Sequence, residues 1–270
     1  MQIASRQVVW NGGGRGTVIE VEMTPDTGLY IKFFTGNERN EPFSVNWGDS
    51  SGTQTYVFDG HYHELEHTFR TYGKYRIVFV NITNVGLRWL DGQPRYDYDA
   101  AILSIVDHAG TLTAAHSGAF SRCVNLERFI APNNRGCGQR PFAYCTKLKE
   151  VQLGEAEVHY DGSFQGCTAL EKFETVSTGC CWSYVWKGCT RLPELRLGAV
   201  SQFATDDFAD TPNLMDIWIS DKTVEQIKQV APEGNIESGY GAPFPWGANP
   251  GCRFHGTNGI VLGDGTIIHG

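Results

Sequence analysis

The chain has 270 residues, 41% of them hydrophobic and 19% charged, with a formal net charge of -8. Such a composition supports two domains, or one domain and a cap, and excludes wholesale disorder. With no Lys/Arg cluster it argues against a nucleic-acid footprint, and no apolar run of about 18 residues is present to span a membrane.

Residues 1 to 16 are polar and glycine-rich, and WNGGGRG reads as an arm or an edge turn. The start, MQIASRQVVWNGGG, lacks the basic end and apolar core of a signal peptide. Export then relies on a signal removed from this sequence or on another route, such as assembly into a phage particle. From Thr17 the pattern alternates through TVIEVEM, GLYIKFF, FSVNW, TYVF and KYRIVFV, which predicts an antiparallel β-sandwich. Within it, VNWGDSSG followed by HTFRTYGKYRIVF resembles the PKD-type immunoglobulin-like domain over about residues 17 to 87. Asn46 and Trp47 stand where that family has Asp-Phe. The resemblance implies a spacer or binding module, with Trp47 in the core, Asp49 closing the turn before Ser50, and Gly73 allowing the turn to Tyr75.

One motif points elsewhere. His63, Glu64, Leu65, Glu66 and His67 spell HELEH, which satisfies the HExxH rule of zinc metalloproteases. That chemistry needs a helix that sets two histidines one turn apart and offers the glutamate as general base. Here the expected strands at Tyr56–Phe58 and Thr68–Phe69 leave no room for one, and no Asp, Glu, His or Cys from Thr68 to Leu90 supplies a third ligand. The segment is expected to be a solvated loop, with His61 adding only adventitious metal affinity. No catalytic residue, metal or cofactor is assigned anywhere, and the chain is expected not to be an enzyme.

NITNVGLRWLDGQPRYDYDA, residues 81 to 100, reads as a junction with a boundary near residue 90. Ile102, Leu103, Ile105 and Val106 then offer a strand to cap a solenoid, and His108 and His116 read as surface or turn residues. The repeat itself comes next. Phe120, Phe142, Phe164, Trp186 and Phe208 recur every 22 residues, followed in register by Cys123, Cys145, Cys167, Cys189 and Thr211, and by Leu126, Leu148, Leu170, Leu192 and Leu214. A fourth column is Phe129, Val151, Phe173, Leu195 and Ile217. One such unit cannot bury its own apolar edge, but copies stacked about 4.8 Å apart bury a continuous one. A short strand is expected in each copy at 128–130, 150–152, 172–174, 194–196 and 216–218.

The units GAFSRCVNLERFIAP, RPFAYCTKLKEVQLG, GSFQGCTALEKFETV, YVWKGCTRLPELRLG and DDFADTPNLMDIWIS resemble the AFxxCxxLxxIxLP repeat of BspA-like leucine-rich repeat proteins, over about residues 101 to 222. The resemblance implies a surface or secreted protein that binds macromolecules, with no catalytic column. Trp186 and Thr211 depart from it at core positions. The four column cysteines read as free, buried small hydrophobes. Cys137 and Cys181 share another column but lie two coils, about 10 Å, apart, beyond the reach of a disulfide. CxxC spacing for zinc is absent.

Outward positions carry Arg128, Glu150, Lys172, Glu194 and Asp216, and two residues further on Ile130, Gln152, Glu174, Arg196 and Trp218. The candidate binding face is Arg128, Ile130, Glu150, Lys172, Glu194, Arg196 and Trp218. Trp218 is either a recognition aromatic or covered by the segment C-terminal to it. In that segment Thr223 and Gln226 form a capping box for a helix of about eight residues from Val224, expected to cap the last coil. The tail holds three short strands, at 252–255, 260–262 and 266–269, which fold back onto the solenoid or pair with another subunit.

The expected architecture is mostly β: a PKD-like β-sandwich with its glycine-rich arm (1–90), a leucine-rich-repeat solenoid with a helical cap (91–232) and a short β-rich tail (233–270). The expected function is non-enzymatic recognition or adhesion, extracellular or at the cell surface, with the solenoid binding a protein or glycan. The alternative is a structural or receptor-binding component of a phage particle or surface assembly, located in the virion, with the tail as the joint of a homo-oligomer.

Overall fold

The computed structural model describes residues 16–36, 41–57, 63–88, 96–204, 206–230 and 244–270; the glycine-rich arm, His61 and part of the junction lie outside the described residues. Alternation in the first third becomes two facing sheets. The strands are β1 (Thr17–Met23), β2 (Tyr30–Gly36), β3 (Phe43–Asn46), β4 (Thr53–Tyr56), β5 (His63–Thr68), β6 (Gly73–Val80) and β7 (Asn84–Gly86). β1, β6, β3 and β4 lie in one sheet, and β5, β2 and β7 in the other. Their inward side chains share one core: Phe33 of β2 meets Phe79 of β6 edge-on at 5.5 Å and stacks near Trp47 at 6.3 Å, all fully buried. The carboxylate of Asp49 closes the next turn by accepting from the Ser51 amide at 2.8 Å.

The boundary expected near residue 90 does not interrupt the sheet. β8 (Ile102–Asp107) pairs antiparallel with β1, Ile105 opposite Ile19, and parallel with β9 (Arg128–Ala131), Ile105 opposite Phe129. β8 is therefore a shared strand and not a terminal cap. A buried ion pair, Arg88 with Asp99, fastens the same junction, and Arg88 Nη1 also donates to the Ser121 carbonyl at 3.2 Å.

The coils continue with β10 (Gly136–Cys137), β11 (Glu150–Leu153), β12 (Val158–His159), β13 (Lys172–Glu174), β14 (Ser177–Cys181), β15 (Glu194–Gln202) and β16 (Asp216–Ile219). Each main strand is parallel to the next with partners 22 residues apart, so Val151 lies between Phe129 and Phe173. The large aromatics stack as a column, Phe120 on Phe142 at 5.9 Å and Phe142 on Phe164 at 5.5 Å; Trp186 keeps the pattern by stacking on Phe208 at 5.6 Å. Two residues after each aromatic, Arg122, Tyr144, Gly166, Gly188 and Asp210 all take φ between 57° and 76°, a left-handed turn that glycine makes without strain. β10, β12 and β14 build a second parallel face, and β15 is long enough to pair with both β13 and β14.

The cysteine column has a polar task as well as a packing one. Sγ of Cys145, Cys167 and Cys189 donates to the carbonyl of Phe120, Phe142 and Phe164 in the preceding coil, at 3.1, 3.2 and 3.3 Å. Thr211 instead donates to Phe208 in its own coil at 2.5 Å. All eight cysteines are free, and Cys180 alone is not fully buried. Burial pushes the thiols up, that of Cys189 to about 12. A thiol reagent should therefore titrate about one group, Cys180, in the folded protein and eight after unfolding. Rapid reaction of several thiols in the folded state would contradict the packing.

At the far end α1 (Val224–Ile227) has the expected capping box, Thr223 N–H donating to Gln226 Oε1 at 2.9 Å, but it spans only 4 residues. It does not close the last coil. That edge is taken by β17 (Arg253–Gly256), parallel to β16, followed by the antiparallel β18 (Gly259–Leu262) and β19 (Ile267–His269). Trp246 meets Phe208 edge-on, with centroids 6.5 Å apart and planes at 72°, and its carbonyl accepts from Phe208 N–H at 3.0 Å. The tail thus folds back onto the solenoid, and α1 packs on β17 and β18, with its Val224 and Ile227 buried. Among the described residues, from β4 at one end to β19 at the other, 16 strands belong to one sheet, and β5, β2 and β7 form the other.

Candidate binding face

HELEH forms β5, not a loop or a helix. Strand geometry sends alternate side chains to opposite faces, so His63, Leu65 and His67 turn inward while Glu64 and Glu66 are exposed. His67 stacks on Trp47 at 4.6 Å and its Nε2 meets Asp49 at 2.7 Å; His63 packs against Phe43 at 5.6 Å. The supposed base, Glu64, lies on the opposite side of the strand from both imidazoles and pairs with Lys32. The segment cannot perform HExxH chemistry. Among the described residues no group of three or more His, Cys, Asp and Glu is placed to hold a metal ion. His108 is exposed as expected, and His116 is half-buried, which lowers its pKa to about 4.

The seven residues expected on the outward face are brought together there. Arg128, Glu150 and Lys172 are consecutive rungs: Arg128 Nε donates to Glu150 at 2.8 Å and Lys172 Nζ to its other oxygen at 3.1 Å. Burial alone would raise the Glu150 pKa, but these two cations outweigh it and hold the carboxyl below the usual range. Being solvent-exposed, such pairs add little stability. Their effect is to hold side chains in fixed rows.

Sequence left Glu194 beside Asp216, two like charges on adjacent strands. The structure resolves the conflict locally. Arg196 turns back to Glu194 at 3.0 Å, and the tail delivers Arg253 and His255 to Asp216, His255 Nε2 at 2.6 Å. Burial opposes ionisation of Asp216, yet Arg253 and His255 outweigh it and hold its pKa low. These two tail residues belong to the face, and no local signal in the sequence linked them to a position 37 and 39 residues earlier.

Trp218 fits neither expectation fully. It remains 39% exposed, yet the His255 ring stacks on it at 3.7 Å and 11°, and the Arg196 guanidinium lies 5.3 Å from its centroid. The strands carrying these residues flank β16 on opposite sides, so both ring faces are covered and the edge is presented to solvent. At the other end the face runs into a cleft of about 460 Å³ where β1, β8 and β9 adjoin, walled by Glu20, Glu22, Lys74, Glu127 and Arg128. Ser104 Oγ donates to Glu20 across it at 2.9 Å. This cleft exists because β1 joins β8.

Residues 113–235 match the family described as BspA type leucine rich repeat region, in six copies. That match covers less than half of the chain and coincides with the stacked coils, whose main strands pair in parallel 22 residues apart. The family match begins at residue 113, so the PKD-type resemblance of residues 17 to 87 gains nothing from it. The crystal structure of the T. pallidum leucine rich repeat protein (TpLRR) is similar at 21% identity and a TM-score of 0.38, covering 48% of this chain and 68% of that one. No curated protein matches the chain. Among the described residues no helix is long and apolar enough to cross a membrane.

Proposed function

We propose that the chain is a non-enzymatic recognition or adhesion protein, extracellular or at the cell surface, that grips a protein partner on the outward face of its parallel ladder. The observation that supports this most is the fixing of Arg128, Ile130, Glu150, Lys172, Glu194, Arg196 and Trp218 in two rows on hydrogen-bonded strands. A partner meeting preordered rows loses less free energy to side-chain ordering, and arginine and tryptophan are the side chains that most often dominate such contacts. A glycan is the weaker reading for this face, because sugars stack on aromatic ring faces and those of Trp218 are occupied.

A photo-crosslinking residue at Glu174, among the outward rows, should capture a partner from extracts of the cell surfaces the protein meets; the same residue at Val176, off those rows, should not. The Arg196→Ala, Trp218→Ala double variant should then bind the captured protein at least about tenfold more weakly with its melting temperature within a few degrees of the parent. Equal capture at both positions, or a collapsed melt with unchanged affinity, would mean the face is structural.

A second reading, a structural part of a phage particle or surface assembly, rests on the two sheet ends. Among the described residues β4 and β19 each pair on one side only, and an open edge strand is a template for a further chain. For residues 17 to 87 the PKD-type reading is supported by the two facing sheets, the buried Trp47 and the Asp49 turn. That region would act as a spacer.

A further inference from the structure

The outward row that carries Trp218 does not stop at the last coil. Trp218 lies opposite His255, His255 opposite Ile260, and Ile260 opposite Ile268. The tail therefore continues the row with two aliphatic side chains on neighbouring strands, and Ile268, on the edge strand β19, is 51% exposed.

The backbone of that strand can be assigned group by group. Gly270 N–H donates to the Asn258 carbonyl at 3.1 Å, and Leu262 N–H donates to the Thr266 carbonyl at 2.9 Å. Hydrogen-bonded pairs recur every second residue along an antiparallel ladder, so Ile260 and Ile268, midway between those two pairs, form another. The N–H and C=O of Ile268 are thus turned to β18. Those of Ile267 and His269 point the other way, and among the described residues no strand lies there. The edge offers two donors and two acceptors, placed symmetrically about Ile268.

An antiparallel copy of the same edge answers that arrangement. With Ile268 on a twofold axis, Ile267 of each copy faces His269 of the other, and all the outward groups of both residues pair in N–H···O=C bonds. The two Ile268 side chains then form a non-hydrogen-bonded pair, in which the Cα atoms approach to about 4.5 Å and the side chains lie closer. They cover each other beside Ile260. The opposite end of the sheet offers no such match: in the same outward row β4 presents Thr53 and Thr55, both exposed, beside Asn46 and Ser44 of β3. An isoleucine set against those side chains would gain little apolar burial.

We propose that the chain forms a twofold dimer through β19, its two large sheets joined edge to edge across Ile268. This rests on the reading that an open sheet edge is an assembly joint, and it names a second copy as the occupant of that edge. Pairing of like with like closes the contact instead of propagating it. Three residues a side make a contact well under the roughly 1,200 Å² of a stable interface, so the dimer should be reversible and concentration-dependent.

Light scattering on the full chain should give a mass rising from one chain toward two between about 5 and 500 µM. Ile268→Lys, which sets two ammonium groups opposite each other, should hold the protein at one chain over that range without moving the melt, and Ile268→Val should keep the dimer. Ile268→Cys reads the register itself. A Cα separation of about 4.5 Å lies within the span of a disulfide, so mild oxidation should give a covalent dimer. Ile260→Cys, about three strand spacings from its counterpart, should not, and neither should the parent. A parent that stays at one chain at about 500 µM would overturn the proposal and remove self-assembly altogether. An oligomer that survives Ile268→Lys would overturn the pairing alone and leave the assembly reading with another joint. Crosslinking as rapid at Ile260 as at Ile268 would contradict the register.

Discussion

Leu170→Ala should lower the free energy of unfolding by about 2–5 kcal/mol. Leu170 is fully buried in the middle of its column, with Leu148 and Leu192, also fully buried, in the coils on either side. The loss has two parts, the transfer free energy of the deleted carbons and the cavity they leave. Collapse is hindered because β11 and β13 are held in register by hydrogen bonds through Val151 and Phe173, so the cavity part should persist. Equilibrium denaturation in guanidinium chloride measures it. A change below about 1 kcal/mol would place Leu170 outside a close-packed interior.

The second large effect is a dependence on acid. His159 is fully buried between Cys137 and Cys181, ringed by Phe164, Phe173 and Trp186 at 6.0–6.2 Å, and neither ring nitrogen has a hydrogen-bond partner among the described residues. Burial lowers its pKa from 6.5 to about 4. In the unfolded chain the imidazole takes a proton as pH falls below about 6.5, while in the folded chain it resists until about 4. Stability is therefore intact above that window and declines through it, by on the order of 3 kcal/mol at its lower end. His159→Leu should abolish this part of the decline and leave stability at neutral pH unchanged or higher, because two unpaired polar atoms are removed with little change of shape. Buried Asp207, whose pKa is raised by burial against two backbone amide hydrogen bonds, titrates with the opposite sign. It is common to both proteins, so comparing them isolates His159. Parallel acid profiles for parent and variant would show that His159 is hydrated or paired in solution.

The repeat was legible because a fixed spacing of 22 identifies inward columns without knowledge of contacts. From Phe120 to Ile217 the predicted inward residues are all buried. Outward rows came from the same arithmetic. What the spacing could not disclose was which edge pairs with which. β1 and β8 are far apart in sequence, with Ile19 set opposite Ile105, and their adjacency comes from two unsatisfied strand edges meeting, which leaves no periodic trace. Arg253 and His255 reach Asp216 for the same reason. HELEH was a different failure: its alternation of inward His63, Leu65 and His67 with outward Glu64 and Glu66 is strand periodicity, obscured by a motif that presupposes a helix.

One uninterrupted sheet also makes the chain a ruler. A bead-like domain on a linker would wander relative to the coils, whereas here β1 is bonded to β8 and β8 to β9, so the first third and the tail keep one fixed separation. Inserting or deleting a single coil between β11 and β13 would change that distance by about 4.8 Å and would leave the chemistry at both ends as it was. The number of coils thus sets its reach, independently of what either end holds.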